Sequence, residues 1–373
     1  MNKNAYFLSI IFFTLIFANV GCSSDNPKNK KTIESVVNEL NESEVLVKFL
    51  EQSGNIINAK RIPTLIPADK VKANLKNFFI IDIRKHKDYV SGHIDGSVNV
   101  AIGDIVSYMK TKVAAQVYEK IVIVCYSGHK ASFAAMNLQL LGYSNVYAMK
   151  WGMSSWDKNT ASKKWLKAVS DKYSSKLEKT ENPKGKKNKL PVIKTGKVLG
   201  YDILEERAKT ILNKLDFKIN VDKLMENPSD YYILNYWPDY NYEKGHLPGA
   251  IQYDPKLSLT VNKDLLTLPT DKKIVVYCYT GQNASYTAAY LQILGYDAYT
   301  LTYGANSFMH SKLKSLKIGH AFDNSQIKNY PLVEGELPSI KKEGGKISEE
   351  PEKDNATPII IKKKASKEEE GGC

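Results

Sequence analysis

The chain has 373 residues, 43% of them hydrophobic, and its 53 Lys+Arg against 40 Asp+Glu give a formal net charge of +13. That length and apolar content allow two packed domains and exclude a wholly disordered chain. The positive charge is gathered in particular segments without a nucleic-acid-binding motif, so no nucleic-acid partner is expected. Cys22, Cys125, Cys278 and Cys373 are too scattered for metal pairs or a disulfide framework, and no metal or cofactor is expected.

Residues 1–21 read as a signal peptide. Lys3 supplies a positive start and Tyr6 to Val20 is almost wholly apolar, too short for a membrane span but suited to a leader. Ala18-Asn19-Val20-Gly21-Cys22 resembles a bacterial lipoprotein box, with Asn19 where that box carries an aliphatic residue. The resemblance implies that Cys22 becomes a lipid-bearing N-terminus. The protein is then expected in the cell envelope, held to a membrane on its periplasmic or outer-surface face. Residues 22–55 are expected to form a tether and a helix, since apolar residues from Ile33 to Leu50 recur at helical spacing.

A first domain is expected over 56–165. Its strand candidates are Ile62 to Ile66, Phe78 to Arg84, a strand reached through the turn from Tyr89 to Asn99, Ile121 to Val124 and Asn145 to Met149, with helical stretches among them. That alternation implies a mainly parallel sheet covered by helices on both faces. Residues 166–198 form a Lys-rich linker, with nine Lys and two Glu between Lys172 and Lys197. A second domain with a leading helix follows over 199–320. A disordered charged tail is expected over 321–373, ending Gly371-Gly372-Cys373.

The two domains repeat one another at an offset of 153 residues. Cys125-Tyr126-Ser127-Gly128-His129-Lys130 returns as Cys278-Tyr279-Thr280-Gly281-Gln282-Asn283. Gly92-His93 returns as Gly245-His246, and Leu141-Gly142-Tyr143 as Leu294-Gly295-Tyr296. In each copy a β-branched strand runs into the cysteine and a helix leaves the loop. Backbone N–H groups at a helix start face the sulfur and favour its anion, the nucleophilic form.

Asp82-x-Arg84, Asp88-Tyr89, Gly92-His93-Ile94-x-Gly96-Ser97, Cys125-x-x-Gly128 and Trp151-Gly152-x-x-x-Trp156 together resemble a rhodanese domain. So do Gly245-His246-Leu247-Pro248-Gly249-Ala250 and Cys278-x-x-Gly281 in the second half. The resemblance implies an α/β fold of two tandem rhodanese-like domains, each a mainly parallel five-stranded sheet flanked by helices. It implies sulfurtransferase chemistry, in which Cys125 or Cys278 takes a sulfane sulfur from thiosulfate or polysulfide as a persulfide. Cyanide, a small thiol or a thiol acceptor protein then receives it. The expected substrate loops are Tyr126, Ser127, Gly128, His129 and Lys130, and Tyr279, Thr280, Gly281, Gln282 and Asn283.

Where single-domain rhodaneses carry Arg at the sixth loop position, this chain has Lys130 and Asn283. A cationic first loop, with His129 beside Lys130, is therefore expected to suit thiosulfate better than the second. Asp82 and Arg84 are expected to form an internal ion pair, replaced by Asn235 and Trp237. His93 and His246 are expected to be structural. Cys373 is a candidate resolving thiol on a flexible tip. The alternative is a non-catalytic module that presents persulfide or docks a partner. A phosphatase or arsenate reductase is disfavoured, since such loops need Arg at the seventh position, here Ala131 and Ala284.

Overall fold

The computed structural model describes residues 41–318 and 320–336. The expected leader, the tether with Cys22, and the end of the tail with Cys373 lie outside them. Strands β1 (Leu65–Ile66), β2 (Phe78–Asp82), β3 (Val98–Asn99), β4 (Lys120–Val124) and β5 (Val146–Met149) form one sheet, ordered β1-β5-β4-β2-β3. Strands β6 (Lys218–Ile219), β7 (Tyr231–Asn235), β8 (Ile251–Gln252), β9 (Lys273–Tyr277) and β10 (Ala298–Leu301) form a second in the same order. Every pairing in both sheets is parallel.

In the first sheet alternate residues serve opposite faces, as strand geometry requires. Ile81, Ile121, Ile123 and Ala148 pack toward helix α2 (His129–Leu140), while Ile80, Val122, Val124 and Met149 pack with Val71, Met153 and Trp156. Both faces are apolar because both are covered.

Helix α1 (Glu42–Gln52) packs on α3 (Gly200–Lys214), and α2 packs on its repeat, α4 (Gln282–Ile293). Every α2 residue except Lys130 is buried, because its own sheet covers one side and α4 the other. Phe133 of α2 stacks on Phe217, beside β6, with ring centroids 4.1 Å apart. Tyr286 of α4 donates its hydroxyl proton to the Thr64 carbonyl beside β1, at 2.9 Å. The two domains therefore share one core and do not swing on the linker.

The Lys-rich linker lies along the surface. Glu42 accepts from the Thr195 and Gly196 amides at 2.7 and 2.9 Å, and Asn188 donates its amide to Leu266. Glu178 exchanges backbone hydrogen bonds with His246 of the second domain.

The expected disordered tail from residue 321 is corrected by its first part, which is packed. Phe322 is buried against Trp151 and Trp165, the Tyr330 amide donates to Trp156, and Val333 exchanges backbone hydrogen bonds with His93. Four aromatic side chains, Phe322, Tyr330, Trp156 and Trp165, supply apolar area that a charge-rich composition conceals. Each domain is thus strapped by the segment that follows the other one.

Candidate active site

The loop after β4 turns into α2 through Gly128, whose φ of +88° a residue with a Cβ rarely adopts. This turn curls the chain around Cys125. Its Sγ accepts the Gly128 amide at 3.2 Å and the Ala131 amide at 3.4 Å. Amides converging on sulfur at a helix start stabilise a thiolate and any anion that grows from it.

Around this sulfur lies a pocket of about 110 Å³, lined by both domains. The first domain supplies Tyr126, Ser127, His129, Lys130 and Lys164; the second supplies Lys218, Thr302 and Tyr303. Tyr126 is a pocket wall fixed at its far end. Its hydroxyl donates to Asp88 and accepts the Lys85 amide at 3.2 Å. Burial, then the Asp88 hydrogen bond, push the phenol up to about 12. Trp165 Nε1 donates to the Ser127 carbonyl at 3.0 Å and steadies the loop from outside.

His129 departs from the expected cationic role. It is buried, and burial, followed by the Lys218 charge, pulls its pKa down to about 3 against the opposing contact with the Thr280 carbonyl. Its Nε2 accepts the Tyr303 amide of the second domain at 2.9 Å, while Nδ1 lies 2.8 Å from Ser127 Oγ. The Tyr303 amide, which only donates, needs a bare Nε2, while the Thr280 carbonyl, which only accepts, lies 3.1 Å from the same nitrogen; the shorter Tyr303 contact favours the tautomer with the proton on Nδ1. The mirror residue does the same. Gln282 Oε1 accepts the Trp151 amide of the first domain at 3.0 Å. The fifth residue of each loop braces the other domain, so Gln282 reaches across the interface from its own loop.

The second loop repeats the sulfur cradle. Cys278 Sγ accepts the Gly281 amide at 3.2 Å and the Ala284 amide at 3.3 Å, with Thr280 Oγ1 4.0 Å away. Burial nonetheless pushes the Cys278 thiol up, outweighing those backbone hydrogen bonds. Tyr279 and Asn283 are both buried; Tyr279 stacks on Trp237 at 5.0 Å and its hydroxyl accepts from Asn241 at 2.6 Å. Asn283 replaces Lys130 with a neutral amide.

The Asp82–Arg84 pair is present and internal, 2.7 Å apart, with Arg84 also donating to the Gly92 carbonyl. In the second domain Asn235 instead donates to Tyr277 at 2.7 Å. His93 and His246 are buried, each with Nδ1 at a carbonyl four residues back and its ring stacked on that residue, Tyr89 or Tyr242. Sequence reasoning missed Lys164, Lys218, Thr302 and Tyr303. Their residue types carry no local mark; only superposing the repeats on a known interface would have found them.

A tandem pair of parallel α/β domains, each holding a cysteine in an amide-lined loop at a helix start, defines a class of sulfur-handling proteins. The rhodanese-like domain profile matches residues 67–159 and 220–311, and the chain belongs to that family. It is 36% identical over 78 residues to the thiosulfate sulfurtransferase GlpE of Pseudoalteromonas translucida, covering 21% of this chain and 71% of that one. It is 30% identical over 97 residues to GlpE of Pseudomonas fluorescens (strain SBW25), covering 26% and 84%. YrkF of Bacillus subtilis, a candidate sulfur carrier protein, is 30% identical over 125 residues, covering 32% of this chain; the match spans 65% of the YrkF length. These matches place the chain in the sulfurtransferase superfamily.

Proposed function

We propose that this protein moves sulfane sulfur through a persulfide on Cys125. The carrying observation is the Cys125 sulfur under two backbone amides, at 3.2 and 3.4 Å, in a pocket that also holds Lys130, Lys164 and Lys218. In the first half-reaction the Cys125 thiolate attacks the outer sulfur of thiosulfate. The new S–S bond forms as the old one breaks, and sulfite leaves with the electron pair. In the second, cyanide or a thiolate takes the outer persulfide sulfur and the Cys125 thiolate returns. The amide cradle serves both anions without rearranging.

Cys278 is the candidate second carrier. Its raised pKa, and Asn283 in place of Lys130, favour the alternative for that domain, a non-catalytic module that binds a partner or presents persulfide. The lipoprotein-like start of the chain supports a cell-envelope location with a lipid on Cys22, and Cys373 remains a candidate thiol acceptor within the same chain.

Intact mass spectrometry after brief exposure to thiosulfate, and separately to polysulfide, tests the reading. One added sulfur that vanishes in Cys125→Ser and persists in Cys278→Ser is the expected result. A folded, reduced wild type that gains no sulfur from either donor would overturn it. A sulfur retained in Cys125→Ser but lost in Cys278→Ser would reverse the assignment of the working domain.

A further inference from the structure

We propose that the second domain acts as the anion-binding lobe of the first domain's site. Lys218, reaching over from β6, joins Lys130 and Lys164 in a three-ammonium cup that favours a doubly charged donor such as thiosulfate over singly charged thiosulfonates. The proposal rests on the persulfide reading of Cys125 and adds a cross-domain residue that discriminates donors by charge.

The fold explains how a residue of the other domain reaches this pocket. Phe217 is buried and stacked on Phe133, which fixes the start of β6 against α2. The next residue, Lys218, lines the Cys125 pocket and its ammonium lies 5.6 Å from the Phe217 ring centroid. Lys164 is held by the Tyr126 ring, 5.1 Å from its centroid. Among the described residues none of these three ammoniums has a carboxylate within salt-bridge distance, so their charge is available to a ligand. Desolvation, followed by the Lys130 charge, lowers the Lys218 pKa, while the Cys125 sulfur opposes that shift.

Charge balance favours the same ligand. A thiolate and thiosulfate carry three negative charges in sum, and so do the persulfide and sulfite they become. Three ammoniums match that total throughout the step, which lowers the repulsion between two anions that must meet. The repeat is not symmetric here. Leu65 holds in β1 the place that Lys218 holds in β6, and Asn283 replaces Lys130. The second domain therefore lends a cation without receiving one at that position.

The test compares wild type, Lys218→Met and Lys218→Arg with two donors, thiosulfate and the singly charged methanethiosulfonate, in cyanide-dependent turnover. Lys223→Met, an exposed lysine paired with Glu226, is the charge control. Lys218→Met should raise the thiosulfate KM about tenfold, the scale of one charge-assisted contact. It should raise the methanethiosulfonate KM about threefold or less and change kcat little, with Lys218→Arg restoring most of the loss. Equal effects on both donors, or none, would overturn the proposal. Calorimetric thiosulfate binding to Cys125→Ser, with and without Lys218→Met, separates the two readings. If wild type turns nothing over but binding still needs Lys218, the transferase reading falls and the anion cup stands; binding indifferent to Lys218 removes the cup.

Discussion

His129 Nε2 accepts the backbone amide of Tyr303 at 2.9 Å, so a ring from the first domain's sulfur loop closes a hydrogen bond of the second domain's backbone. The bond exists only with the imidazole neutral at Nε2. Burial and the Lys218 charge hold the pKa at about 3, against an ordinary value of 6.5. The folded chain thus refuses a proton that the unfolded chain accepts. The sign follows: stability is complete above pH 6.5 and is lost as pH falls toward 3, with a slope of about 1.4 kcal/mol per unit for this one group. Gln in place of His129 would offer Tyr303 the acceptor that Gln282 offers Trp151. Denaturant melts from pH 7 to pH 4 should show His129→Gln within about 1 kcal/mol of wild type at neutral pH. The variant should then lose stability more shallowly on acidification. Identical slopes would count against this titration.

The Cys278 thiol should react slowly at neutral pH. Burial outweighs the amides at Cys278 and raises its thiol, so less thiolate forms at neutral pH. Alkylation of Cys125→Ser by iodoacetamide at pH 7, followed by mass spectrometry of the Cys278 peptide, should run at least tenfold slower than free cysteine. It should accelerate as pH rises past 9. Rapid labelling at pH 7 would return Cys278 to the list of working thiols.

Gly152 sits at φ +59° and ψ −153°, and a Cβ there would overlap the Cys125 carbonyl and come within 2.6 Å of the Gly128 amide. Those backbone groups cannot step aside without moving the sulfur cradle. Gly152→Ala should cost about 3 kcal/mol or more, from strain and collision together. A folded fraction of that variant should load sulfur on Cys125 at least tenfold more slowly. Wild-type loading would mean that the loop tolerates displacement.

Phe322 completes an aromatic box with Trp151 and Trp165, at ring distances of 5.2 and 5.1 Å. Trp165 in turn holds the Ser127 carbonyl. Phe322→Ala should destabilise by about 3 kcal/mol through the cavity it leaves, and should shift tryptophan emission to longer wavelength. An unchanged melting curve would show the segment to be dispensable.

The cysteine loops, the repeat, the parallel sheets and the Asp82–Arg84 pair were legible because each depends on residues close in sequence or on a motif with its own spacing. What was hidden depends on packing. Helix α2 lacks a polar face because α4 covers the side that would meet water, so the usual amphipathic stripe is missing. Lys218 looks like any strand-edge lysine until Phe217 is seated on Phe133. The packed segment 320–336 was masked by the polar composition around it, although Phe322, Tyr330 and Leu332 stand in its sequence.

The second domain is strapped by the linker that precedes it, but the first is strapped by a segment at the far end of the chain, so its assembly runs against chain growth. Trp156 donates its indole proton to Pro331, and the His93 turn pairs with Val333. These contacts await residues that emerge only after the whole second domain. A nascent chain would therefore carry a first domain whose cysteine loop lacks Tyr303 and Lys218 and whose flank is bare. The pocket is finished late, so the Cys125 sulfur, flanked from the start by Lys130 and Lys164, gains Lys218 and the Tyr303 wall only when the second half has folded against the first.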